Sequence, residues 1–156
     1  MFRSCCRLRP GVSSGPTPRM SPGEPPCNVT IARMMELFFR FDFAAARRLP
    51  RLPADHPCQR VHGHTFMIEL TVRGDVDPNH YWIVDFDEID RLTADLKGAL
   101  DHRYLNDVPG LENPTTEMLA QWLWQRLASA VPGLYRITAQ EHPTRGAAYY
   151  GPQAAS

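Results

Sequence analysis

Residues 62–74 read HGHTFMIELTVRG. His62, His64, Phe66, Ile68, Leu70 and Val72 alternate with Gly63, Thr65, Met67, Glu69 and Thr71, so one face is largely apolar and the other largely polar. A period of two over this length marks a strand with one buried face. The same rule applies upstream, where MELFFRFDF (35–43) puts Leu37, Phe39, Phe41 and Phe43 on one face and Glu36, Arg40 and Asp42 on the other. Two such strands close together suggest an antiparallel pair.

Downstream the period changes. DVDPNH (75–80) reads as a turn. After the short apolar piece YWIVDF, residues Ile89, Leu92, Leu96 and Ala99 recur at helical spacing up to about Leu100, with Asp85 or Asp87 as N-cap. A second helix is expected in NPTTEMLAQWLWQRLASA (113–130), with Asn113 capping, Pro114 in the first helical position and Leu119, Trp122, Leu123 and Leu127 as its buried stripe. Leu134–Glu141 reads as a third strand, HPTRG (142–146) as a loop and AAYYG (147–151) as a short fourth strand. The order ββααββ, without internal repeat, predicts an α+β domain: a four-stranded antiparallel sheet carrying two helices on one face. Its aromatic-rich outer strands need blunting, or pairing with another subunit.

The first thirty residues hold six of the fifteen prolines, together with Gly11, Gly15, Gly23 and several serines. Such a stretch buries too little apolar area to offset its ordering entropy. Residues 1–33 are therefore expected to be disordered, or to precede a true start at Met34 or Met35; the folded domain should span 34–151, with 152–156 as a tail. The 17 basic and 17 acidic residues balance, but residues 1–33 contain five arginines and one glutamate, leaving twelve basic and sixteen acidic residues elsewhere. An acidic remainder excludes the basic stripe of a nucleic-acid binder. No run approaches the roughly 18 apolar residues of a membrane span. Cys5, Cys6 and Cys27 lie in the leading segment, so Cys58 is alone in the domain, as expected of a reduced, cytoplasmic protein.

Candidate chemistry gathers around CQRVHGH (58–64). Positions i and i+2 on a strand point the same way with Cα atoms roughly 6.6 Å apart. His62 and His64 can therefore converge on one zinc ion, with Gly63 easing the backbone approach between them; an ordinary pair of hydrogen-bonded histidines would share the pattern. Cys58, beside His56 and Arg60, is placed to act as a thiolate that removes a proton from carbon. In LDHRYLND (100–107), the adjacent Asp101 and His102 suit a proton relay, a pattern that a solvated pair at a helix end would share. Glu141 closes the third strand, where its carboxylate can meet an amidine-like edge of a heterocycle.

In combination, CQRVHGH, LDHRYLND, NPTTE and a strand ending in Glu141 resemble the 6-pyruvoyl-tetrahydropterin synthase family over about residues 36–151. Its bacterial branch, the 6-carboxytetrahydropterin synthases of queuosine biosynthesis, is matched further by FAAARRLPRLP, WIVDF and LNDVPGLENPTTE. The resemblance implies a tunnelling fold, in which three ββααββ sheets join edge to edge into a barrel and two trimers stack as a hexamer, with active sites between subunits. It implies conversion of 7,8-dihydroneopterin triphosphate to 6-carboxy-5,6,7,8-tetrahydropterin with loss of acetaldehyde and triphosphate; 6-pyruvoyl-tetrahydropterin synthase activity is the near alternative. In that scheme Cys58 abstracts the proton, Asp101 and His102 form the relay, Glu141 anchors the pterin with Thr115 and Thr116 seating its ring, and His62 and His64 hold zinc.

Three positions depart from the pattern: mildly Arg103 and His142, where the bacterial relatives often have histidine and threonine, and with more consequence Arg47. The family's first zinc ligand is the histidine of an AAH-R-LP segment, and here that segment reads AAARRLP, with Arg47 in the ligand's place. A guanidinium stays protonated and offers no lone pair. Three outcomes remain open. Arg47 swings aside while His56, His102, His142 or Cys58 completes a weaker zinc site; or the Arg47 cation serves in place of the metal; or the chain is a pterin-binding relative with little turnover.

Overall fold

A computed structural model describes residues 34–152; what was expected of the leader, of Cys5, Cys6 and Cys27, and of residues 153–156 lies outside the described residues. Four strands and two longer helices follow one another as expected: β1 (Met35–Arg47), β2 (His62–Gly74), α1 (Phe86–Leu100), α2 (Thr116–Leu127), β3 (Leu134–His142) and β4 (Arg145–Tyr149). The sheet is antiparallel throughout, in the order β1-β2-β3-β4.

Alternation fixes its two faces. Phe43, Ala45, Phe66, Ile68, Leu70, Val72, Ile137 and Ala139 are buried on the face that the helices cover. α1 packs on β1, and α2 packs on β3 and β4. Ile89 and Leu100 of α1 and Leu119, Trp122, Leu123 and Leu127 of α2 complete the core, as the helical spacing predicts. Each such aliphatic side chain stabilises the fold by about 1.5–3 kcal/mol through its removal from water. The opposite face is ionic: Glu69 of β2 accepts from Arg40 of β1 and Arg136 of β3, and Glu36 pairs with Arg73.

Local chemistry moves some boundaries. Asp85 caps α1, accepting from the Asp87 N–H at 2.9 Å. α2 begins two residues later than expected: Thr115, not Asn113, is the N-cap, its hydroxyl accepting from the Met118 N–H, and Pro114 precedes the helix. Asn113 instead holds the β1–β2 connection through Arg51 N–H, at 3.4 Å. β3 and β4 extend to His142 and from Arg145, shrinking the expected five-residue loop to a tight turn at Pro143 and Thr144, where the His142 ring accepts from Thr144 N–H. The turn into β3 requires Gly133: its φ is +75°, and a Cβ there would lie 2.2 Å from the Arg73 carbonyl oxygen.

Candidate active site

β1 and β2 pair along their whole length, from Met35 with Gly74 to Arg47 with His62. Arg47 thus sits directly opposite His62, and Ala45 opposite His64, on the helix-covered face. Glu141 reaches the same end of the sheet from β3, one residue past the Met67–Gln140 pair. Facing them is the entry to α2, with Pro114, Thr115 and Thr116.

Arg47 is the centre of this cluster and is only 3% exposed. One terminal nitrogen donates to the Pro114 carbonyl oxygen at 2.9 Å, and the other pairs with Glu141 Oε2. The Phe66 ring lies beneath the guanidinium, 5.2 Å away. Thr116 donates its hydroxyl to Glu141 Oε2 at 3.3 Å, whereas Oε1 accepts from no described residue. Burial alone would raise the Glu141 pKa, but the charge and hydrogen bond of Arg47 outweigh it and hold the carboxyl below its ordinary value. His64 is shifted down, first by burial and then by the Arg47 charge, which keeps the ring neutral near pH 7.

The two histidines do converge, with ring centroids 5.0 Å apart and edge to face. His62 Nδ1 meets the Arg60 carbonyl oxygen at 2.8 Å, and its Nε2 is buried without a partner. Gly63 is not needed sterically, since a Cβ there would meet the Ala45 oxygen only at an ordinary 3.7 Å. Zinc, however, does not fit the donor set. No three His, Cys, Asp or Glu side chains gather for a metal among the described residues. Arg47 does not swing aside; two hydrogen bonds tie it to β3 and to the α2 entry. Of the possible substitutes, His56 accepts from the Cys58 N–H at 3.1 Å, His142 pairs with Thr144, His102 is exposed on the β1 edge, and Cys58 joins no metal-ligating group among the described residues.

Asp101 and His102 occupy a second location, on the outer edge of β1. Asp101 Oδ1 accepts from the Ala44 N–H at 2.9 Å, His102 N–H donates to Ala44 O at 2.6 Å, and Ala46 N–H donates to Arg103 O at 2.9 Å. The segment after α1 thereby closes part of that edge. The two side chains approach only to 3.8 Å, too far for a hydrogen bond, and the imidazole is 84% exposed. A groove of about 580 Å³, lined by Ala44–Ala46, Gly63, His64, Thr65 and His102–Tyr104, runs from His102 to His64. His64 therefore belongs to both locations. Cys58 lies in a short 3-10 turn (Pro57–Gln59) between β1 and β2, partly buried, its carbonyl accepting from the Leu49 N–H.

So the fold joins Glu141, Thr116, His62 and His64, and links His102 to His64 by the groove. Thr115 spends its hydroxyl on capping. Arg47, noticed in the sequence as a missing ligand, is also the partner of Glu141. Alternation places position 47 on the face of Phe43 and Ala45, so a buried arginine in need of a carboxylate was legible, but not which carboxylate.

Comparison with known proteins bears on what this cluster does. The sequence profile described as 6-pyruvoyl tetrahydropterin synthase matches residues 36–152. A 6-carboxy-5,6,7,8-tetrahydropterin synthase from Synechocystis sp. is 36% identical over 126 residues, covering 77% of this chain and 96% of that protein. A dihydroneopterin monophosphate aldolase from Pyrococcus furiosus is 35% identical over a shorter span, 48% of this chain and 62% of that protein. Among solved structures, a Caenorhabditis elegans 6-pyruvoyl tetrahydropterin synthase matches with a TM-score of 0.71 at 25% identity, covering 77% of this chain and 99% of that one.

Proposed function

Because the chain belongs to the 6-pyruvoyl tetrahydropterin synthase family, we propose that it is a carbon–carbon lyase that converts 7,8-dihydroneopterin triphosphate to 6-carboxy-5,6,7,8-tetrahydropterin, releasing acetaldehyde and triphosphate. The observation that carries this reading is the likeness to the Synechocystis synthase along nearly all of that protein. The product would feed queuosine formation in the cytoplasm; among the described residues no helix is long and apolar enough to cross a membrane.

Each site residue has a role compatible with its surroundings. Glu141 keeps its charge through Arg47 and has Oε1 free to accept from the amino and ring N–H groups of a pterin. Thr116, on the same carboxylate, fixes its orientation. His102, exposed at the mouth of the groove, exchanges protons with the substrate side chain, and Asp101 anchors the backbone that carries it. Cys58, on the β1–β2 connection, removes a proton from the side-chain carbon. No step is assigned to zinc, because the residues here do not form its site.

A homo-oligomer, trimer or hexamer, suits the sheet. Before Ala44 the outer edge of β1 has no strand partner among the described residues, nor has the outer edge of β4. The decisive experiment incubates the protein with 7,8-dihydroneopterin triphosphate and separates the products. Acetaldehyde and 6-carboxytetrahydropterin are expected in equal amounts. A 6-pyruvoyl product would reassign the reaction within the family, and an unchanged substrate would refute turnover.

A further inference from the structure

Three observations define the surroundings of position 47. The guanidinium is buried and fixed by elements far apart in the chain: β1 carries it, β3 supplies the carboxylate and the entry to α2 supplies the carbonyl. Its Nε is buried and has no partner among the described residues. His62 Nε2 is likewise buried and without a partner, and His62 is the residue directly opposite Arg47 in the β1–β2 ladder. A dication held by His62 and His64 would face a full positive charge at the position where a third ligand belongs. Even the loss of an outer-shell partner weakens metal binding by about 10–100-fold, so a missing ligand replaced by a cation weakens it further.

We infer that Arg47 replaces the metal ion in this chain: its guanidinium is the permanent cation of the site, and the two unpartnered nitrogens of Arg47 and His62 bind an oxygen of the ligand's polyhydroxylated side chain. The arrangement meets the chemical demand. Buried polar groups without partners are costly unless a ligand satisfies them. Arg47 Nε is a donor, and His62 Nε2 is an acceptor, because Nδ1 donates to the Arg60 carbonyl oxygen and so carries the ring proton; a hydroxyl group, accepting from the first and donating to the second, matches the pair. The Glu141 charge is balanced by Arg47 without any metal, which leaves the carboxylate ionised for the heterocycle. A fixed guanidinium also provides preorganised positive charge wherever an oxyanion develops on that side chain.

The inference deepens the lyase reading and rests on it for the ligand class, yet its first test requires no turnover. Zinc is measured in the full chain purified without chelator, and zinc binding is then titrated by calorimetry and by the shift in Tm. The wild type is expected to carry far less than one zinc per chain and to show no Tm shift with added zinc. Arg47→His should take up about one zinc per chain and rise in Tm. Tight stoichiometric zinc in the wild type would overturn the inference, as would Arg47→His folding normally without gaining a site. If that variant fails to fold, the titration of wild type decides alone. The second test compares binding of neopterin with that of pterin lacking the side chain. Arg47→Lys keeps a cation for Glu141 but removes the Nε donor. It should lose at least about 10-fold of the preference for neopterin while still binding unsubstituted pterin. An unchanged preference refutes the side-chain role. Failure of the product assay with zinc-free wild type and intact neopterin preference would sink the lyase reading and leave the inference standing.

Discussion

The Arg47–Glu141 cluster and the Asp101–His102 edge lie at the same end of β1 and are built in opposite ways. In the first, side chains from β1, β3 and the α2 entry satisfy one another in a buried crevice, and Arg47 is only 3% exposed. In the second, the backbone of His102 and Arg103 and the Asp101 carboxylate bond to Ala44 and Ala46, while the imidazole points out at 84% exposure. The first place is preorganised by this chain alone. What His102 acts on has to be brought to it, by a bound substrate or across the edge by another copy. Removing a side chain should therefore disturb the fold most in the first place, and in the second only at Asp101, leaving His102 to affect the chemistry alone.

The largest effect on the fold is expected from Glu141→Ala. It leaves the Arg47 charge buried with one carbonyl contact. Loss of one partner of a fully buried pair costs about 3–5 kcal/mol; since the Glu141 side chain is 23% exposed, about 2–3 kcal/mol is expected here. Urea unfolding measures it, and a loss below about 0.5 kcal/mol would show that the pair does not hold this end of the sheet. The same pair sets a pH dependence. The Glu141 carboxyl is held below its ordinary value of 4.5, with burial opposing and Arg47 prevailing. The unfolded state then binds the proton more readily, so the stabilisation is present above pH 4.5 and fades as pH falls through the lowered pKa. Comparing Tm from pH 7 downward in wild type and Glu141→Gln should show a steeper acid loss in wild type.

Asp101 ranks next. Asp101→Ala removes the acceptor for the Ala44 N–H and should cost about 1 kcal/mol. Asp101→Asn keeps an acceptor oxygen and should cost less than about 0.5 kcal/mol. Under the lyase reading, a charge-dependent role of Asp101 would lower turnover in the asparagine variant despite its near-normal stability. Equal turnover in Asn and wild type would reduce Asp101 to an anchor of the edge.

Why some of this was readable beforehand and some was not follows from range. Strand faces and helix stripes are local periodicities, so Phe66, Ile68 and Leu123 were assigned to the core from spacing alone. The convergence of His62 and His64 is an i, i+2 relation and was equally accessible. The N-cap of α2 was misplaced because NPTT offers Asn113, Thr115 and Thr116 as capping side chains; Arg51 engages the first and Glu141 the last, leaving Thr115. Arg47 and Glu141 are 94 residues apart in the chain. Their meeting depends on the registers of two ladders, which no short-range pattern specifies. The adjacency of Asp101 and His102 suggested a carboxylate against an imidazole. Instead, Asp101 serves the Ala44 amide and His102 takes up a left-handed backbone, which turns its ring away.

That left-handed conformation gives the comparison its finest test. His102 has φ of +55°, a region that costs an L residue about 1–2 kcal/mol and glycine almost nothing. Glycine loses about 0.5–1 kcal/mol through the freedom of its unfolded chain. His102→Gly keeps the backbone bond to Ala44 and gives up only an exposed side chain 3.8 Å from Asp101. The opposing contributions partly offset, so stability should stay within about 1 kcal/mol of wild type and rise rather than fall. Turnover of 7,8-dihydroneopterin triphosphate should nevertheless fall by about 10²–10⁴-fold, the range for losing a positioned proton-transfer group. A stability loss of 2 kcal/mol or more would make the imidazole a structural part of the edge, and the contrast between the two places would disappear.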